Sequence, residues 1–378
     1  MSTPPPTIVI RTTPRISAIR LVLAIFAGLI ALFLGLLVLL LIGIETGPVA
    51  LLLGLLTATI PVPIYIMLVL WVDRYEAEPL WMLATAFCWG ALFAPFFAFL
   101  FNTIGALIIT ALTNPKAGEA FAAVVSAPIV EETGKAFILF LFFLWKKDEF
   151  DGVIDGIVYA SLSALGFAMT ENILYYGRAA GADALTITFV IRGFFAPFSH
   201  PLFTSLTGIG LGLARQSTNM TVKILAPLVG FMMAIFMHSL WNGSAEFGGG
   251  PFFFLLYIVV MIPAFIIMLV VIGFALRREG RVVREHLVID LERGFLTAAE
   301  YKELGSILGR MGSSYNAFSR SGVKGWRARR RFNQLASELA FHRNRVARGV
   351  YAADADVLSQ ETAYLHALQG LINELRAR

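Results

Sequence analysis

The chain has 378 residues, 58% of them hydrophobic and 15% charged, with a formal net charge of +5 and a mean hydropathy of +0.76. Ordinary soluble domains carry a charged fraction nearer ~25%, so the composition excludes a simple globular enzyme and implies an all-α polytopic membrane protein. A single cysteine, Cys88, excludes a disulfide framework, and no nucleic-acid motif accompanies the basic residues.

From the N-terminus, residues 1–20 are rich in Pro and Thr and read as a disordered cytoplasmic tail. Apolar runs long enough to cross ~30 Å of hydrocarbon follow near 21–44, 48–71, 80–112, 119–145, 153–176, 184–214, 222–245 and 251–276. The third and sixth exceed what a span needs and carry Pro95, or Pro197 and Pro201, which predicts tilted or broken helices. One set of alternate loops holds Arg74, Lys146, Lys147, Arg215 and Lys223; the other holds only Lys116 and Arg178. The positive-inside rule then puts both termini in the cytoplasm of a multi-pass cell-membrane protein. Residues 277–378 hold 18 of the 30 Lys and Arg against 11 acids, and they read as a basic helical cytoplasmic domain after a transmembrane domain at 21–276. Within it WRARRRF, Trp326 to Phe332, reads either as a contact for anionic lipid or a basic-tolerant partner, or as a solvated helix face; the solvated face is the simpler account.

The informative residues are the polar ones inside the spans. Glu131 and Glu132 sit in FAAVVSAPIVEETGKAFILFLFFLW with Lys135 a turn later. A charge at membrane depth costs ~2.5–3.5 kcal/mol on insertion scales, and two adjacent carboxyls there are poorly explained by packing. Glu131 and Lys135 share a face at i, i+4, while Glu132 points about 100° away. The fifth span places Glu171 beside Asn172, the sixth places His200 between two prolines with Thr204 on its face, and Arg192 two turns earlier can balance a buried carboxylate. The seventh has His238 and Asn242 at i, i+4. Either histidine alone reads as a structural hydrogen-bonding group; together, Glu, Glu, His and His from four helices can meet in one layer. Such a set holds a divalent metal and activates its water, or activates water directly by general-base catalysis. Gly208, Gly210 and Gly212 read as a close-packing strip. Asp151 and Asp155 read as helix-start residues.

These motifs resemble a known family. EETGK is similar to the E-E-x-x-K motif of PrsW-type intramembrane proteases, GFAMTEN to their F-x-x-x-E motif, and HPLFTSLTGIGLGLA and HSLWN to their histidine motifs; Asp73 to Pro79 resembles their acidic D-x-x-E-x-E-P segment. The resemblance covers roughly residues 60–245. It implies peptide-bond hydrolysis in or beside a membrane, on a fold related to the CAAX prenyl-processing proteases, with a membrane-anchored anti-sigma factor as the suggested substrate. Carried over by position, the site residues are Glu131, Glu132, Glu171, His200, His238 and Asn242, with Lys135 supporting the pair. Glu131 is expected to be the general base held ionised by Lys135, and Glu132 to orient a histidine or the metal. A zinc ion would draw on Glu132, Glu171, His200 and His238, with metal-free chemistry as the alternative. Asn242 is expected to fix the His238 ring or donate to an oxyanion. No H-E-x-x-H, G-x-S-x-G or G-x-G-D motif offers another protease chemistry. A cation-coupled transporter using the same glutamates is the competing reading, and a non-catalytic scaffold the third.

Overall fold

The computed structural model describes residues 18–179, 181–349 and 355–376, so the tail expected over 1–20 lies outside the described residues except for its last three. Among the described residues every regular element is helical, which makes the protein an all-α, multi-pass membrane protein. They fall into two compact units: one holds the described parts of 1–21, 74–77 and 273–378, the other 22–73 and 78–272.

The second unit contains α1 (Ala18–Thr46) from Val22 on, α2 (Pro48–Thr59), α3 (Val62–Val72), α4 (Leu80–Cys88), α5 (Ala94–Leu112), α6 (Pro115–Phe121), α7 (Ala127–Trp145), α8 (Val153–Arg178), α9 (Ala182–Phe189), α10 (Ser199–Gln216), α11 (Met220–Leu256) and the start of α12 (Ile262–Glu292). Four wide π-helical turns interrupt it, at Trp89–Phe93, Ala122–Ser126, Val190–Phe195 and Tyr257–Met261. Each ends two residues before a proline: Pro95, Pro128, Pro197 and Pro263. The cause is local. A proline donates no N–H and its ring presses on the carbonyl four residues back, so the ladder widens one turn upstream. The carbonyls this frees are met by side chains from other helices. Thr170 donates to the Ala91 carbonyl at 2.7 Å and Tyr65 to that of Gly193. Tyr257 reaches the Phe195 carbonyl at 2.9 Å.

Among the described residues five stretches are long and apolar enough to cross a membrane: Val22–Thr46, Pro48–Val72, Leu80–Leu112, Val153–Arg178 and Met220–Glu292. Two of the eight expected spans are not among them, for visible reasons. The α7 run carries Glu131, Glu132 and Lys135, and the sixth run is broken at 196–198 between its π turn and α10. The seventh and eighth join into one 73-residue stretch, kinked at Gly249, whose φ is 62°. The count of eight is therefore not reproduced.

α8 runs through the middle of this unit, with 94% of its apolar window buried. Its start is fixed by Asp155, which accepts from the Gly152 and Asp151 amides at 2.6 and 2.8 Å, the helix-start role read from the sequence. It crosses α10 at Gly156 and Gly208. A Cβ built on either glycine would lie 2.1 Å from the other's carbonyl oxygen, so only glycine allows this approach. That crossing sets the depth at which α10 presents Thr204 and His200 to α7.

The other unit comprises the rest of α12, α13 (Ala298–Leu304), α14 (Ile307–Ala347) and α15 (Ala355–Arg376). Thr297 and Glu300 form a capping box on α13. Loop residues 74–77 belong to it: Tyr75 is buried under the Arg310 guanidinium, 4.9 Å from its ring centre, and Glu76 pairs with Arg345 at 2.6 Å.

Candidate active site

The π turn at Ala122–Ser126 and Pro128 lead into α7, whose first two turns carry the acidic pair. Glu131, Glu132 and Lys135 are all buried. Glu132 is held from three sides: Lys135 Nζ lies 2.6 Å from Oε1, Thr204 Oγ1 donates to Oε2 at 2.8 Å, and His238 Nδ1 lies 2.9 Å from Oε1. Glu131 is not held in this way. Its Oε2 is buried without a hydrogen-bond partner, 3.7 Å from both Lys135 Nζ and His238 Nε2. The ion pair expected between Glu131 and Lys135 is thus weaker than the one Lys135 makes with Glu132. The reason is reach: the flexible lysine stem serves the i−3 carboxylate as easily as the i−4 one. The ammonium also contacts His200 Nδ1 at 3.1 Å and the Phe167 ring at 4.6 Å.

His200 begins α10 just after the break. An ammonium only donates, so Nδ1 accepts from Lys135 and Nε2 carries the proton toward Glu171 Oε2, 3.0 Å away. Glu171 is also paired with Arg192, which donates to Asn172 Oδ1 at 2.6 Å and lies 3.8 Å from the Tyr175 ring centre. The balancing role read for Arg192 is the observed one. His238 donates from Nδ1 to Glu132, which leaves the Nε2 lone pair facing Glu131. The two imidazoles meet edge to face, with ring centres 5.1 Å apart.

The structure therefore brings Glu131, Glu132, Lys135, Glu171, His200 and His238 into one buried constellation. Donor atoms of Glu131, His200 and His238 all lie within 4.8 Å of one another. This set differs from the expected metal ligands. Both Glu132 oxygens are spent on Lys135, His238 and Thr204, and Glu171 Oε2 is spent on Arg192 and His200, whereas Glu131 keeps a free oxygen. Asn242 is also placed differently from expectation. Its Nδ2 donates to the Ala123 carbonyl at 2.8 Å, five residues before Pro128, so it serves a carbonyl of a widened turn rather than the His238 ring.

A cavity of about 550 Å³ opens onto Glu131, Glu171, His200, Arg192 and Asn242, with Tyr65 and Trp241 in its walls. It is large enough to admit several side chains of an extended peptide. Sequence reasoning missed Tyr65 and the part Thr204 plays toward Glu132. Thr204 was visible one turn after His200; Tyr65 had no local signal.

A family model described as PrsW family intramembrane metalloprotease matches residues 78–268, a little over half the chain. The chain belongs to the PrsW family. Proteins named Protease PrsW are similar over the same region: that of Geobacillus kaustophilus is 35% identical over 170 residues, covering 45% of this chain and 69% of its own length. That of Oceanobacillus iheyensis is 31% identical over 197 residues, 50% and 82% of the two chains. That of Bacillus subtilis is 30% identical over 176 residues, 46% and 72%. No solved structure matches. Membership makes this multi-pass membrane protein a peptidase whose substrate is a protein. Every residue of the constellation lies within the PrsW match, and the unit that holds the C-terminal helices lies wholly outside it.

Proposed function

We propose that the constellation hydrolyses a peptide bond of a membrane-anchored protein, with Glu131 as the base that takes the proton from water. The observation that carries this is the contrast within the pair: Glu132 is fixed by three partners, while Glu131 turns an unpartnered buried oxygen toward the cavity. A base needs a free lone pair at the reacting centre. Glu132 then serves as a positioning residue that fixes the His238 tautomer and keeps its Nε2 lone pair inward. Lys135 offsets the charge of the pair, and Glu171 with Arg192 orients His200. Asn242 Nδ2 lies at the cavity wall and can turn from Ala123 to the oxygen of a bound scissile carbonyl.

The donor chemistry fits a metal ion. Two imidazoles and a carboxylate with an orphaned oxygen form a three-ligand set, Glu132 supplies the carboxylate that such a histidine needs behind it, and zinc is the ion that set suits best. Glu131, His200 and His238 would hold it, with Glu131 then a ligand in place of the free base, and it would supply Lewis acidity and a water made acidic enough to ionise near neutrality. His200 has both nitrogens engaged, so it becomes a ligand only when its bond to Lys135 or to Glu171 yields.

The loop charge asymmetry supports eight crossings with both termini cytoplasmic. It also supports reading residues 277–378 as a cytoplasmic domain. A membrane-anchored anti-sigma factor is the substrate that the family resemblance supports. The test compares protein N-termini in membranes of cells producing the wild type or Glu131→Gln. New termini beside apolar spans should appear with the wild type and fall at least ~100-fold with the variant, as for loss of a general base. Identical termini from both would reject the assignment of Glu131. Once such a substrate is purified, stripping with a chelator should abolish its cleavage and zinc should restore it; full activity with no stoichiometric metal leaves Glu131 acting on water unaided.

A further inference from the structure

The first half of α14 is a helix turned inside out. Leu308, Met311, Tyr315 and Phe318 are all exposed, Leu308 by 81% and Tyr315 by 70%. Their spacing of three, four and three puts them on one arc of about 80°, at ~100° per residue. The opposite face is buried and polar: Arg310 donates to Ser337 Oγ, and Ser313 lies beside it. A helix that only needed to pack on its neighbours would show the reverse pattern. Between Leu304 and Ser337 the chain has no Asp or Glu and seven Lys and Arg. Two of these, Arg310 and Arg329, are buried, whereas Arg320 just before the kink at Ser321–Gly322 and Lys324, Arg327, Arg330 and Arg331 beyond it are exposed. Arg330 lies over the Trp326 ring at 4.8 Å, an aromatic and basic pair suited to a headgroup layer.

We propose that this segment docks on an anionic lipid leaflet, with the apolar stripe among the acyl chains and the five exposed cations on lipid phosphates. An apolar helix face joined to an unbroken run of positive charge is the pattern of an interfacial helix. The charge commits the proposal to lipid. A second copy of the same segment would bring five exposed positive charges against five, with no acid in the segment to answer them. The membrane is also the surface to which this chain is already tethered, so the contact forms at high effective concentration. The solvated-face reading of WRARRRF accounts for the arginines but leaves the exposed stripe unexplained. This proposal does not depend on the peptidase chemistry.

The test uses the full chain with Cys88→Ser and one nitroxide-labelled cysteine, at Met311→Cys on the stripe or Asn316→Cys off it. The protein is placed in nanodiscs of phosphatidylcholine alone or of equal parts phosphatidylcholine and phosphatidylglycerol. Accessibility to oxygen relative to a water-soluble nickel chelate should rise several-fold at 311 in the anionic discs only. The label at 316 should stay in water, and added salt or the triple change Arg327→Gln, Arg330→Gln, Arg331→Gln should reverse the rise at 311. A 311 label equally wet in both discs overturns the proposal. Equal immersion in both discs overturns the role of charge. Protection that tracks protein concentration in detergent assigns the stripe to a second copy and overturns the lipid assignment.

Discussion

α1 and α8 are both long and apolar enough to cross a membrane, yet they occupy opposite environments. The α1 stretch has a hydropathy of 3.1 and only 17% of its window is buried; that of α8 has 1.5 and is 94% buried. The more hydrophobic helix is the one with fewer protein neighbours. In a bilayer, apolarity is what a lipid-facing helix needs, whereas a helix inside the bundle needs small residues for close approach and can carry polar ones that have partners. α8 has both kinds: Gly156, Ala160 and Ser163 on one side, and Tyr159, Thr170 and Glu171 bonded to Glu78, Ala91 and His200 outside it.

The comparison breaks most easily at the glycines. Gly208→Ala puts a Cβ 2.1 Å from a backbone oxygen of α8, and the helices must part; the loss should reach at least ~1–3 kcal/mol, as for overpacked cores. Thermal unfolding in detergent measures it, and cleavage should fall in parallel because His200 lies on the same helix. A smaller loss is expected for Thr204→Val, which keeps the shape and removes the hydroxyl that holds Glu132 Oε2. Leaving that oxygen buried and unmet costs ~1–3 kcal/mol, read as a lower unfolding temperature at unchanged secondary structure.

At the end of α3 the effect is set by pH. Burial raises the Asp73 carboxyl to about 7, against the Glu78 amide that favours its charge, and the nearby Asp155 adds to the rise. The folded form then binds a proton that the unfolded form has lost between about pH 4 and 7. Stability contributed by this group should be full below pH 4 and fall as pH rises to 7, by on the order of 1 kcal/mol at a half-buried carboxyl. Asp73→Asn should flatten that part of the melting-temperature profile; an unchanged slope assigns it elsewhere. The smallest effect has the opposite sign: a Cβ on Gly28 of α1 meets nothing within 4 Å, so Gly28→Ala should be neutral or stabilise by up to ~1 kcal/mol. Equal losses from Gly28→Ala and Gly208→Ala would erase the distinction between the two helices.

The convergence of Glu131, Glu132, His200 and His238 was legible because each is a costly residue in an apolar run, and their positions along the runs fixed a shared layer. That Arg192 balances a buried carboxylate was legible by the same cost; that the carboxylate is Glu171 was not. Which carboxyl remains free was not, since that depends on how one lysine divides itself among Glu131, Glu132 and a histidine 65 residues away. The prolines announced broken helices, but not the wide turns or their repair. The hydroxyls and amide that meet the freed carbonyls come from 79, 119 and 128 residues away. No local pattern encodes such pairings. For the same reason Asn242 was read toward His238, its neighbour on the helix, rather than toward Ala123.

The break at 196–198 has an electrical consequence as well as a mechanical one. With the carboxyls ionised and the imidazoles neutral, Glu131, Glu132 and Glu171 set three negative charges against the two of Lys135 and Arg192. Because the helix restarts at Ser199, α10 begins inside the bundle, beside these groups. Its aligned peptides place about half a positive elementary charge at that end. An unbroken helix through the same space would have carried that charge to a remote end, and the surplus negative charge would have had no backbone counterpart.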